Sequence, residues 1–192
     1  MLDHWASYSL VDFIPIEMSV YVNLFSRANN DLWPWTILFF LFGSVLVLLV
    51  YVKKSRYALM LLGLAWCYCA YLFHYKLLGE LHWIGDILAM FFLVQGLLLL
   101  AASFVLKMDL INNQGQFRVG LSIMLLAMIG FVIQPIYFDR SWQTAEIFGL
   151  APNPIVWSSI GMFISHNIRR WWLFVVPIFW IVLSISVMSA SN

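Results

Sequence analysis

The chain has 192 residues, of which 64% are hydrophobic and 10% charged, and a mean hydropathy of +0.91. An average soluble domain carries roughly 45–50% apolar and about 25% charged residues. A water-soluble fold of this length has too little interior to hide so much apolar surface, whereas lipid solvates it directly. The net charge of +1 supplies no polybasic field, which argues against a nucleic-acid partner.

Residues 1–32 are expected to form an N-terminal interfacial segment, and 33–192 a transmembrane bundle. Met1 to Leu10 are acidic and aromatic, without the basic-then-apolar order of a cleavable signal. Ser9 and Asp12 have capping-box spacing. Val20, Tyr21, Leu24, Phe25 and Ala28 recur at helical spacing with polar residues between them, the pattern of a helix lying in the membrane interface. Trp33-Pro34-Trp35 then suits an entry point, because Pro is tolerated in a first turn and Trp prefers the headgroup zone.

A helix needs about 20 apolar residues to cross roughly 30 Å of hydrocarbon. Residues 33–52, 57–73, 87–106, 119–137 and 171–188 meet this. The stretch 148–165 is ambiguous, because it contains Pro152, Asn153, Pro154, Ser158 and Ser159; it either spans or re-enters. Charge favours spanning. Lys/Arg-rich short loops stay cytoplasmic. With six spans, Lys53, Lys54, Arg56, Lys107, Arg118, Arg169 and Arg170 share one side, leaving Arg27, Lys76 and Arg140 on the other. Of the acidic residues only Asp109 joins the cation-rich side. The expected fold is therefore all-α: a polytopic six-span bundle in a plasma (inner) membrane, with both termini outside.

Four features carry potential chemistry. Phe73-His74-Tyr75, Glu80, His82, Trp83 and Asp86 fall in the second connection. His74, Glu80 and His82 are weak metal candidates; the spacing matches no standard metal motif, and a loop of polar caps and aromatic anchors explains it as well. Gly63, Cys67, Ala70 and His74 share one helix face, and small residues let helices approach closely, so His74 should face the bundle. Cys67 and Cys69 do not form a redox pair or zinc knuckle. Gln95 and Gln134 are amides at membrane depth that must find partners. Either interhelical hydrogen bonds or a solute path satisfies them. Pro152 and Pro154 flank Asn153, so the helix should begin only near Pro154, with Asn153 as its cap. Gln95, Gln134 and Asn153 are the candidate path residues.

Several of these residues together resemble a family. Ser7-Tyr8-Ser9-Leu10 with Asp12-Phe13, then Tyr21, Leu24-Phe25 and Trp33-Pro34, are similar to the opening of a bacterial membrane family of unknown function, domain-of-unknown-function family 6064. The similarity continues at Phe73-His74, Trp83, Phe148-Gly149-Leu150, Pro152, Pro154, Gly161 and residues 177–180. The family pattern reads Thr-Pro-Cys-Pro where this chain has Ala151-Pro152-Asn153-Pro154, so a thiolate role at that position is absent here. Some related sequences carry the label permease, which is an association only.

The leading expectation is a small permease-like or solute- or ion-binding membrane protein, acting as a homo-oligomer or with a membrane partner. The alternative is a structural or accessory subunit of a larger membrane complex. An enzyme is least favoured, because the sequence offers no nucleophile–base pair or cofactor motif. No cofactor can be named.

Overall fold

The computed structural model describes residues 18–106 and 113–190, with side chains from Ser19 to Ser186 outside the gap. The Ser9–Asp12 capping box, Lys107 and Asp109 therefore lie outside the described residues. Within them the chain is all-α: α1 (Met18–Asp31), α2 (Thr36–Tyr51), α3 (Ser55–Cys69), α4 (Ile84–Val105), α5 (Gln114–Tyr137), α6 (Pro152–Ser165) and α7 (Val175–Ala190). No strand occurs among the described residues; one isolated bridge joins Phe148 and Ala151.

α1 buries Leu24, Phe25 and Ala28, the face its spacing marked as apolar. It meets α2 at a bend of 102°. Phe25 stacks on Phe73 with ring centroids 5.1 Å apart, and Arg27 pairs with Glu80 at 2.9 Å. These contacts tie α1 to the far end of α3.

α3 does not stop at Cys69. It continues in wide π-type winding through Ala70–Leu78, and Gly79 N–H donates to the His74 carbonyl five residues earlier at 2.8 Å. Phe73-His74-Tyr75 thus lie inside a long helical rod rather than in the expected connection. Its small-residue face packs on α4, as the stripe implied. A Cβ on Gly63 would sit 2.9 Å from the Gly96 carbonyl oxygen, and one on Gly96 would sit 2.5 Å from Cys67 Sγ.

α6 is the central helix. Its residues are buried apart from the half-buried Ile160 and Ile164 and the exposed Trp157. It packs on α5 where Gly120 meets Gly161, on α3 where Trp66 Nε1 donates to Ser159 Oγ at 2.9 Å, and on α7 through Trp180. The helix begins at Pro152, two residues earlier than expected, and Ala151, in extended conformation, occupies the cap position. Both prolines fall in the first turn, where N–H groups lack intrahelical partners anyway, so neither breaks a bond. Asn153 is therefore an early helical residue and not the cap. Asn167, at φ 52°, lies just past the far end, the left-handed position that Asn tolerates.

The six expected spans are not reproduced. Three helices are long and apolar enough to cross a membrane: Ser55–Leu78, Ile84–Val105 and Gln114–Tyr137. The count reaches four if the bent pair α1 and α2 is one span. The remaining segments yield shorter helices. α2 and α7 have 16 residues each and α6 has 14; at 1.5 Å per residue these are about 24 and about 21 Å, below the roughly 30 Å of hydrocarbon. Hydropathy counted residues outside these α-helices: 33–35 and 148–151 lie in turns or extended backbone, and 171–174 form a short 3-10 helix and its end.

The described cations of the expected cytoplasmic group gather at one end. Arg56 lies over the Phe104 ring at 4.9 Å, joining the start of α3 to the end of α4. Gln116 Nε2 donates to Asn167 Oδ1 at 3.3 Å, joining the start of α5, with Arg118, to the end of α6, before Arg169 and Arg170.

The glycine crossing gives a packing prediction. A Cβ on Gly120 would come within 2.3 Å of the Gly161 carbonyl, and one on Gly161 within 2.6 Å of the Gly120 carbonyl, whereas at Gly130 nothing lies within 4 Å. Gly120→Ala or Gly161→Ala should destabilise by about 1–3 kcal/mol through forced backbone separation. Gly130→Ala should be neutral, or stabilise by up to about 1 kcal/mol through helix propensity. Thermal unfolding in detergent measures all three.

Candidate functional site

The break before α6 generates the site. Residues 145–151 are non-helical yet buried, Ile147 partly so, and their backbone groups need protein partners. Asn29 of α1 supplies one: its Nδ2 donates to the carbonyls of Gln143 at 2.6 Å and Ala145 at 2.8 Å. Glu146 N–H donates to the Phe131 carbonyl at 3.3 Å, and Leu150 and Ala151 both donate to Ile147 O. Gly149 takes φ 86°, and a Cβ there would press on the Phe39 ring at 2.8 Å, so the turn requires glycine on both counts.

This turn places Glu146 inside the protein, 5% exposed, with Oε2 unpartnered. Burial pushes its carboxyl up to about 8, against Asn153 and Arg140, which both pull it down. Its charge is felt by Tyr21 of α1. Asn153 Oδ1 accepts from Trp180 Nε1 at 2.9 Å and from Ser184 Oγ at 3.3 Å.

Trp180 links this group to His74, whose ring centroid lies 5.1 Å away. His74 is completely buried, also contacts Phe92 and Phe73, and has no hydrogen-bond partner at either ring nitrogen. Tyr21 packs edge-on to Phe73, and its hydroxyl is likewise unpartnered. Tyr21, His74, Glu146 and Asn153 thus surround an aromatic group while offering an acid, a phenol and an imidazole with open hydrogen-bonding positions. A buried polar group without a partner costs about 1–3 kcal/mol, so the cluster favours water, a proton or a small ligand that completes it.

The candidates read from sequence fare differently. His74 faces the bundle as the stripe implied. Glu80 lies apart from it, paired with Arg27 and with a half-exposed side chain. His82 Nδ1 accepts from the Ile84 N–H at 3.2 Å, a local turn contact. Among the described residues no three His, Cys, Asp or Glu side chains gather closely enough to hold a metal ion. Gln95 is buried and donates to the Leu173 carbonyl at 2.9 Å, with Oε1 unpartnered. Gln134 is half-buried on α5. Gln95 thus ties α4 to the turn before α7, while Asn153 belongs to the Glu146 group.

Sequence reasoning did not single out Glu146. One signal was present: it is the only Asp, Glu, Lys or Arg between Arg140 and Arg169, and an isolated carboxyl in an apolar stretch is a functional candidate. Tyr21, Trp180 and Asn29 carried no comparable signal, because their roles depend on distant partners.

The family of unknown function DUF6064 matches the chain over residues 18–190, and the chain belongs to it. No curated protein and no solved structure matches.

The raised Glu146 value makes a pH prediction. The folded state holds this proton more tightly than the unfolded chain. The resulting stabilisation is complete below the ordinary value of 4.5 and is lost as pH rises to about 8; in that window the native state binds more protons than the unfolded one. The thermal midpoint should therefore fall with pH across this window. Glu146→Gln, which mimics the protonated acid, should flatten that part of the profile. An unchanged slope in the variant would assign the dependence to other groups.

Proposed function

We propose that this member of DUF6064 is a multi-pass integral membrane protein of permease-like type that binds a small solute or ion at the Glu146–Asn153 cluster. The three long apolar helices are compatible with a membrane protein. The observation that carries the binding role is the unpartnered Glu146 carboxyl oxygen beside a helix break enclosed by protein. Interrupted helices expose backbone and side-chain groups that a continuous helix would use internally, and transporters build binding sites from them. A carboxyl enclosed by protein and shifted far from its ordinary range marks a candidate functional site.

In this reading the bilayer is the first partner, and the plasma (inner) membrane of a bacterial cell the location. The end bearing Lys53, Lys54, Arg56, Arg118, Arg169 and Arg170 faces the cytoplasm. On this reading both termini lie on the opposite, outer side. The amphipathic α1, bent 102° from α2, suits the outer interface.

A second reading, an accessory or oligomerising subunit, draws on α5, whose Leu126, Ile129, Ile136 and Tyr137 are exposed. Cross-linking from Leu126→Cys to a second copy or another membrane protein would favour it.

Two measurements test the main reading. A reporter fused after Asn192 should be active on the outer side; cytoplasmic activity would reverse the topology. For binding, detergent-purified protein is buffered about one unit above the Glu146 value so that the carboxylate forms. Sodium or potassium chloride, compared with choline chloride, should raise the thermal midpoint of the native protein and not that of Glu146→Gln. Equal responses from both proteins would remove Glu146 as an ion site.

A further inference from the structure

At the cationic end, a groove of about 350 Å³ opens between the α2–α3 turn and the end of α4, lined by Lys53, Lys54, Ser55, Arg56, Tyr57, Ser103, Phe104 and Leu106. Three cations thus fall within four residues. No carboxylate among the described residues pairs with them, since the ion pairs there involve Arg27. The turn that presents them is tightly held. Lys53 takes φ 60°, and the Lys53 and Lys54 N–H groups donate to Val50 O at 3.0 Å and Leu49 O at 2.8 Å. Arg56 is steadied over the Phe104 ring. One rim is apolar: Val52, Phe104 and Val105 are exposed, as is the aromatic Tyr57, and they continue onto the apolar faces of α2 and α4.

We propose that this groove binds the phosphate headgroup of an anionic phospholipid, with its acyl chains along α2 and α4. The inference rests on the membrane reading. Unpaired cations beside exposed apolar surface match an amphiphile whose anionic head adjoins a hydrocarbon tail. A free soluble anion would gain nothing from the apolar rim. A zwitterionic head would bring its amine against three positive charges with no carboxylate among the described residues to receive it.

The test uses the full chain extracted from membranes in mild detergent and exposed to equimolar phosphatidylglycerol and phosphatidylcholine. Bound lipid is counted by native mass spectrometry, with and without inorganic phosphate. Phosphatidylglycerol should be retained in preference. The triple variant Lys53→Gln/Lys54→Gln/Arg56→Gln should lose about tenfold or more of it, each cation contributing roughly equally. The control Arg169→Gln/Arg170→Gln, which removes cations outside the groove, should keep it. Equal retention of the two lipids, or equal loss in triple variant and control, overturns the proposal. Displacement of phosphatidylglycerol by inorganic phosphate at matched concentration overturns the lipid as occupant. If the triple variant does not fold, the native protein's preference between the lipids, together with Arg56→Gln alone, decides. Carbonate washing of the same membranes separates the two ideas: protein released by the wash defeats the membrane reading, whereas retained protein without lipid preference defeats only this inference.

Discussion

Residues 145–151 pass through the protein interior without helical hydrogen bonds, so their N–H and C=O groups must be satisfied by protein. The rest of the arrangement follows from that need. Asn29 reaches across from α1 to the Gln143 and Ala145 carbonyls, Phe131 O accepts from Glu146 N–H, and Ile147 O takes the donors that close the turn. Gly149 supplies the left-handed residue. Only after this does α6 begin, with Pro152 and Pro154 in a first turn that has no use for their missing N–H groups. α6 is short as a result and depends on its neighbours for cover, which accounts for the glycine crossing with α5 and the Trp66–Ser159 and Trp180–Asn153 bonds.

The same break brings Glu146 inside. A continuous helix through this region would have placed its start elsewhere and left no turn to carry the carboxyl among Tyr21, Cys69 and Asn153. Burial raises the cost of charging Glu146. Beside it, Trp180 provides a polar edge, its indole N–H, that holds the Asn153 amide in place.

Charge divides the protein lengthwise. The Glu146 group lies toward the end that carries Arg27, Glu80 and Arg140, and the cationic groove lies at the other. The two proposed sites are thus separated by the length of the helices, and each makes a different demand. One needs exclusion of water around a neutral or ionising carboxyl; the other needs exposed cations beside apolar surface.

Much of this was legible in the residues themselves. Apolar composition identified helices compatible with a membrane, because hydrophobic transfer is nearly additive along the chain. α4 and α5 coincide with two of the apolar runs expected to span; the prolines announced a late helix start, and the small-residue stripe oriented His74. Motif order pointed to the family. What local pattern did not determine was which apolar residues are helical and which are turn, and so the span count fell from six to three, or four. Nor did it show that His74 sits within a helix apart from Glu80 and His82, because the wide winding of Ala70–Leu78 leaves no distinct composition. The Glu146 cluster was decided by tertiary structure alone. Its members, Tyr21, His74, Glu146, Asn153 and Trp180, come from separate helices and one turn, and whether a carboxyl is solvated or enclosed depends on partners far away in sequence, which hydropathy does not count.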